Sequence, residues 1–272
     1  IFCFCMVNRS IKILPCRSGE IFSERIRNHL REKYGYEDVY GKVEVKDFKN
    51  GEINPIIKES VRGSSVYVVQ NMDDPNSDRK PQENFDELLE LTDAARRSVG
   101  IYGKVSVIMP NYYKARQHAS KRRESLAARL TADQLRDAGA EAVIGMDVHN
   151  EGIYGYFTDV KFDNLHASGV IINYLRIKLS DFINYKIIEN DREVCGFSIA
   201  SPDVGDAKRA KYYADKLGAG LIIGAKFRDE AKSNEDSIER ILLLGDIANR
   251  NILVIDDLID TAGTIKDGCY EL

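Results

Sequence analysis

The sequence is short of several features that would have narrowed its role at once. No run approaches the ~18 consecutive apolar residues that a membrane span requires, so no membrane partner is expected. There is no basic excess. The net charge is -4, and a nucleic-acid interface usually needs a basic face, so no nucleic-acid partner is expected either. The five cysteines (Cys3, Cys5, Cys16, Cys195 and Cys269) form no CxxC pair, and their odd number points to packed, reduced thiols in the cytoplasm. The opening "IFCFCMV" lacks the basic leader and small-residue cleavage site of a signal peptide. There is no initiating methionine, and the chain stops at "KDGCYEL" inside an expected helix, so residues beyond Leu272 are expected to be missing.

What is present is ordinary for a globular protein: 272 residues, 43% hydrophobic and 30% charged, with length enough for two domains. Short β-rich runs alternate with helical stretches. Strands are expected at 11–16, 42–48, 66–70, 104–110, 142–147, 195–203, 221–226, 240–246 and 251–257. Several of these are continuous apolar runs, as in strands buried on both faces. Helices are expected at 20–33, 84–99, 123–138, 166–180 and 205–217, the third with Leu126, Leu130 and Leu135 at helical spacing. This alternation predicts an α/β fold with largely parallel sheets. The division falls near residue 165, giving units 1–165 and 166–272, and the polar stretch 71–84 reads as a surface loop.

Three of the expected strands end on acids: "AVIGMD", "SIASPD" and "NILVIDD". In parallel α/β sheets, ligands bind beyond the carboxyl ends of the strands. The last strand runs on as "NILVIDDLIDTAGTI". A Gly- and Thr-rich turn entering a helix exposes backbone N–H groups to a phosphate. Asp256 and Asp257 repel phosphate but suit sugar hydroxyls, directly or through Mg²⁺. A ribose 5-phosphate satisfies every one of these groups.

The motif "VIDDLIDTAGT" resembles the phosphoribosyl-pyrophosphate loop shared by type I phosphoribosyltransferases and ribose-phosphate pyrophosphokinases, and alone it does not choose between them. Other segments do. "KDFKNGEINPIIKESVRGSSVYVVQ", the "YYKARQ" and "MDVH" elements, and "SPDVGDAKR" follow one another in the order of the pyrophosphokinase family. The resemblance implies two type I phosphoribosyltransferase-like units, each a mostly parallel sheet flanked by helices, the second truncated at its C-terminus. It also implies transfer of the diphosphoryl group of ATP to the 1-hydroxyl of ribose 5-phosphate, as a diphosphotransferase dependent on Mg²⁺.

By the same resemblance, Phe48, Asn50, Gly51 and Glu52 form a nucleotide loop, and Arg116 and Gln117 contact ATP. An arginine fork suits phosphate oxygens. His149 and Asp203 match metal-associated positions, with Asp147 a further candidate. Lys226 and Arg228 match the basic pair of a catalytic flap, able to offset charge on the transferring group. Asp256, Asp257, Asp260, Thr261, Ala262, Gly263 and Thr264 would hold ribose 5-phosphate. The family's shared site implies a homo-oligomer, at least a dimer and often a hexamer.

The chain departs from the family pattern after Gln117, where His118-Ala119-Ser120-Lys121 replaces an acid and basic residues, and near Ser125, where a proline is usual. Two alternatives remain: a non-catalytic regulatory homologue, which would have lost site residues, and a phosphoribosyltransferase, which would lack the N-terminal nucleotide segments.

Overall fold

The computed structural model describes residues 10–120, 122–189, 191–227 and 240–259. The chain divides into two compact units, Ile1–Leu165 and His166–Leu272.

The first unit begins with strand β1 (Ile11–Pro15), helix α1 (Glu20–Tyr34), β2 (Val43–Asp47), β3 (Ile53–Ile57) and β4 (Ser65–Val69). It continues through α2 (Pro81–Ser98), β5 (Lys104–Ile108), α3 (Ala127–Asp137), β6 (Ala142–Met146) and β7 (Lys161–Leu165). Five strands make one sheet in the order β1-β4-β5-β6-β7, every pair parallel. Alternating side chains cover both faces. Leu14, Val66, Val68, Val105, Val107 and Val143 belong to one buried cluster with Leu88 and Leu91 of α2 and Leu135 of α3. Ile13 and Val69 pack on the opposite side with Phe22, Ile26 and Leu30 of α1. Fully burying one such aliphatic side chain is worth about 1.5–3 kcal/mol, so these two layers supply the unit's main cohesion.

Three details differ from the sequence expectation. The stretch 42–48 does not enter the large sheet; β2 pairs antiparallel with β3 in a separate two-stranded hairpin. Helix α2 starts at Pro81, not at 84, because proline is pre-set for a first helical position and Glu83 accepts the Lys80 N–H at 2.7 Å. The polar stretch before it is therefore only partly a surface loop, and Asn84 is wholly buried. In α3 the leucine stripe is buried only in part. Leu135 is buried together with Ala127, Ala128, Thr131 and Ala132, whereas Leu130 is half exposed.

The second unit runs α4 (Ser168–Lys178), α5 (Ser180–Ile183), β8 (Lys186–Glu189), β9 (Arg192–Cys195), β10 (Phe197–Ser201) and α6 (Ala207–Leu217). It closes with β11 (Gly220–Phe227), β12 (Arg240–Leu244) and β13 (Asn251–Val254). Its sheet has the order β12-β11-β10-β13, with β10 parallel to both neighbours and β12 antiparallel at the edge. All five residues of β10 are buried, as its central place demands. Phe197 and Ile199 pack against Tyr213, Ala214 and Leu217 of α6 and against Ile172 and Leu175 of α4. β8 and β9 form a hairpin of their own, which the sequence reading did not foresee.

Candidate active site

In the second unit the chain leaves β10, crosses by α6 to β11 on one side, and returns as β13 on the other. The carboxyl ends of β10 and β13 therefore flank the point where strand order reverses, which is where open α/β sheets bind ligands. Their register is fixed by the pairing of Ala200 with Val254 and by the Ile255 N–H donating to the Ala200 carbonyl at 2.9 Å.

Two short segments leave those strand ends side by side. After β10, the Ser201 hydroxyl donates to the Asp203 carbonyl at 2.6 Å, and the Asp206 N–H donates to Asp203 Oδ1 at 3.1 Å. The two bonds hold the turn that carries Asp203. After β13, the Asp257 N–H donates to Asp256 Oδ1 at 2.9 Å. The carboxylates of Asp206, Asp256 and Asp257 come together, with one ligand oxygen from each lying within 4.8 Å of the others. Burial raises the Asp206 carboxyl above the ordinary aspartate range, partly offset by Arg209, whose Nε lies 3.1 Å away. Asp256 is likewise raised, first by burial and then by Asp257 and Asp206 beside it. Three converging acids favour a proton, a hydroxyl donor or a divalent cation between them. Such an all-oxygen set suits Mg²⁺.

Asp256 and Asp257 thus stand where the sequence places a sugar-binding pair. Asp260, Thr261, Ala262, Gly263, Thr264 and Arg228 lie outside the described residues. Lys226 is on β11, its backbone opposite Ile241 of β12. The sequence reading missed Asp206. The signal was a third acid, three residues after Asp203, inside a segment already singled out.

The first unit carries the other expected residues. Phe48 to Glu52 form the turn between β2 and β3. The Phe48 N–H donates to the Glu52 carbonyl at 2.8 Å, and the Glu52 N–H donates to Asn50 Oδ1 at 3.2 Å. Gly51 has φ +90°, which favours glycine over any residue bearing a Cβ. The turn leaves Phe48 exposed, with the Lys46 ammonium 5.2 Å from its ring centre. The hairpin is tied to the body of the unit by Arg17, which grips both Asp47 oxygens at 2.9 and 3.1 Å.

Arg116 and Gln117 are exposed on the loop between β5 and α3. That loop is anchored at its base, since Gln117 donates to the Lys114 carbonyl at 2.9 Å and receives the Ala128 N–H at 3.1 Å. His149 follows β6, and Asp147 between them has φ +45°. The ring of His149 lies 5.5 Å from that of His118, so the loop after Gln117 and the tip of β6 meet. His149 and Asp203, each matched to a metal-associated position, belong to different units.

Comparison with known proteins extends these local matches along the chain. Residues 11–139 fit the model of the N-terminal domain of ribose phosphate pyrophosphokinase. A ribose-phosphate pyrophosphokinase of Chlorobaculum tepidum is 36% identical over 256 residues, covering 94% of this chain and 69% of the relative. One from Helicobacter pylori is 35% identical over 258 residues, covering 94% and 71%. The crystal structure of the phosphoribosylpyrophosphate synthetase from Mycobacterium smegmatis superposes with a TM-score of 0.79 at 27% identity, over 96% of this chain and 76% of that one. A chain this similar over nearly its whole length, with paired aspartates at the reversal point of its second sheet, belongs to the ribose-phosphate pyrophosphokinase family.

Proposed function

We propose that this protein transfers the β,γ-diphosphoryl group of ATP to the 1-hydroxyl of ribose 5-phosphate, giving 5-phosphoribosyl 1-diphosphate and AMP for nucleotide synthesis. The observation that carries the reading is the placement of Asp256 and Asp257 at the β10–β13 reversal point of a chain in this family. The names of the relatives supply the reaction; the site supplies a physical reason for it.

Ribose 5-phosphate sits with its ring hydroxyls donating to Asp256 and Asp257 and its phosphate held by Asp260, Thr261, Ala262, Gly263 and Thr264. Asp256 or Asp257 orients the anomeric hydroxyl. No strong base is needed, because that hydroxyl is more acidic than a simple alcohol and phosphoryl transfer depends mainly on positioning and charge. Arg116 grips the ATP phosphates with its fork, Gln117 holds the nucleotide beside it, and Phe48 stacks on the adenine with Asn50, Gly51 and Glu52 at its edge. The exposed hairpin tip suits a role in the site of a neighbouring copy within a homo-oligomer. Lys226 and Arg228 offset the negative charge that spreads over the transferring oxygens.

His149 and Asp203, with Asp147 as a further candidate, would hold Mg²⁺. Each is a candidate ligand on its own chemistry: Asp203 is fixed by two hydrogen bonds beside the converging acids of the second unit, and Asp147 and His149 follow β6 in the first. When bound, the ion neutralises charge on the bridging phosphate oxygens. No helix among the described residues is long and apolar enough to cross a membrane. Cys16 and Cys195 are free thiols, which suits a reducing cytoplasm.

The test is direct. Incubation with ATP, ribose 5-phosphate and Mg²⁺ at several phosphate concentrations should release AMP, measured by chromatography. No AMP under any of these conditions overturns the reading.

A further inference from the structure

The departure after Gln117 puts a second imidazole where the sequence analysis expects an acid. Its geometry is specific. His118 Nδ1 lies 3.3 Å from the Ala115 carbonyl oxygen. A carbonyl can only accept, so Nδ1 carries the proton, and in the neutral ring the lone pair is on Nε2. This is the arrangement that most metal-binding histidines adopt, one nitrogen held by a carbonyl and the other presented to the ion. The His118 carbonyl is itself pinned by the Tyr156 hydroxyl.

His149 approaches from the other side on an equally anchored segment. The Asp147 N–H donates to the Leu165 carbonyl at 2.9 Å, the Val148 N–H donates to Asn164 Oδ1 at 3.1 Å, and Asn150 Oδ1 receives the Gly152 N–H at 2.8 Å. The two ring centres are 5.5 Å apart at 58° between planes. Imidazole nitrogens bind such ions at about 2.0–2.1 Å, which puts the centres of two rings on adjacent positions of one ion roughly 4.5–5.5 Å apart. The observed ring-centre spacing lies at the upper end of that range.

We propose that His118 joins His149 as a second imidazole on one divalent cation, so that the site this chain offers to Mg²⁺ also takes ions such as Co²⁺, Ni²⁺ or Zn²⁺ more tightly than a site with a single imidazole would. Two nitrogen donors favour those ions, whereas Mg²⁺ favours oxygen. The site lies directly after Gln117, on the expected nucleotide side of the unit. The proposal rests on the reading of His149 as a metal-binding residue, and the experiment separates the two.

The full chain, free of nucleotide, is titrated with Co²⁺ by calorimetry, and the loaded protein is examined by proton NMR for far-shifted imidazole N–H signals. Two such signals are expected, and His118→Gln should remove one. His118→Gln and His149→Gln should each weaken Co²⁺ binding at that site by about 10–100-fold, at least the cost of losing an outer partner of a ligand. His118→Asp should lose Co²⁺ affinity and gain Mg²⁺ affinity. Circular dichroism melting confirms that the variants fold. If His118→Gln keeps both signals and binds within about twofold of the parent, while His149→Gln loses them, the proposal fails and the His149 reading stands. If neither substitution changes binding, or the parent shows no shifted imidazole signal, both fail.

Discussion

In the first unit, β1 and β4 flank a reversal point much as β10 and β13 do in the second, because the chain after α1 touches the outer side of β1 at Tyr40 before returning to β4. The contents of the two points differ. Beyond β1 and β4 lies a neutralised network. Glu87, wholly buried, accepts from the Arg17 N–H at 2.8 Å, from Arg17 Nε at 2.8 Å and from Arg79 Nη2 at 3.0 Å. Asn84 accepts from the Ser18 hydroxyl and Arg79 Nε, both at 3.0 Å, and donates to the Met72 carbonyl at 2.9 Å. At Gly19 in the same turn, a Cβ would overlap the Val69 carbonyl. The protein's own side chains fill this point. Beyond β10 and β13 the protein instead gathers three acids with Arg209 beside one of them. One reversal point is filled by paired side chains; the other gathers like charges, which is where the proposed function puts its sugar.

Removing Glu87 should break the comparison most visibly. Glu87→Ala leaves Arg17 and Arg79 without their buried partner and should cost about 3–5 kcal/mol of stability, read by denaturant unfolding. Asp256→Asn should leave unfolding nearly unchanged. Equal losses from both would erase the distinction between a structural and a ligand-binding point.

Next in size, Lys226→Ala should lower kcat by about 10²–10³-fold with a much smaller change in the KM for ribose 5-phosphate, as for loss of a donor that acts on the transition state. Thr264→Val should do the reverse, mainly raising that KM. Steady-state kinetics with varied ribose 5-phosphate separate the two, and equal effects of the lysine change on both parameters would remove its proposed role.

The smallest effect concerns the acids themselves. Asp206 and Asp256 are raised in the folded chain, so the folded state holds their protons more tightly than the unfolded state. Their contribution to stability is therefore most favourable below about pH 4 and is lost as pH rises through the raised folded values. Asp206→Asn should flatten this dependence, raising the melting temperature at pH 7 more than at pH 4 in chelator. Added Mg²⁺ should raise the parent's melting temperature more than the variant's. A variant melting curve that parallels the parent's at both pH values would mean that the three acids do not repel one another.

Much of this was legible beforehand. Most of the continuous apolar runs became parallel strands, as expected for strands covered on both faces, but the run at 240–246 became the antiparallel edge strand β12 with Leu242 and Leu244 half exposed. Asp256 and Asp257 could be singled out as candidates because a strand end, two acids and a Gly-Thr motif occur within fifteen residues of sequence. A strand at 42–48 was expected, but its hairpin partner β3 was not, because Pro55 weakens the strand signal of that stretch. The leucine spacing in 123–138 gave the helix but not which of its residues are buried: Leu135 is and Leu130 is half exposed.

By itself, the sequence determined the α/β alternation, the order of the motifs and the acid-tipped strand 251–257, all of which depend on neighbours a few residues apart. Only the tertiary structure decided what meets what. It brought Asp206 to Asp256 and Asp257 across parallel strands joined by a long crossover, and His118 to His149 across thirty residues. It also filled the first reversal point with Glu87 and its two arginines while leaving acids at the second. Strand register and crossover direction set those meetings, and neither is written in any local stretch of the chain.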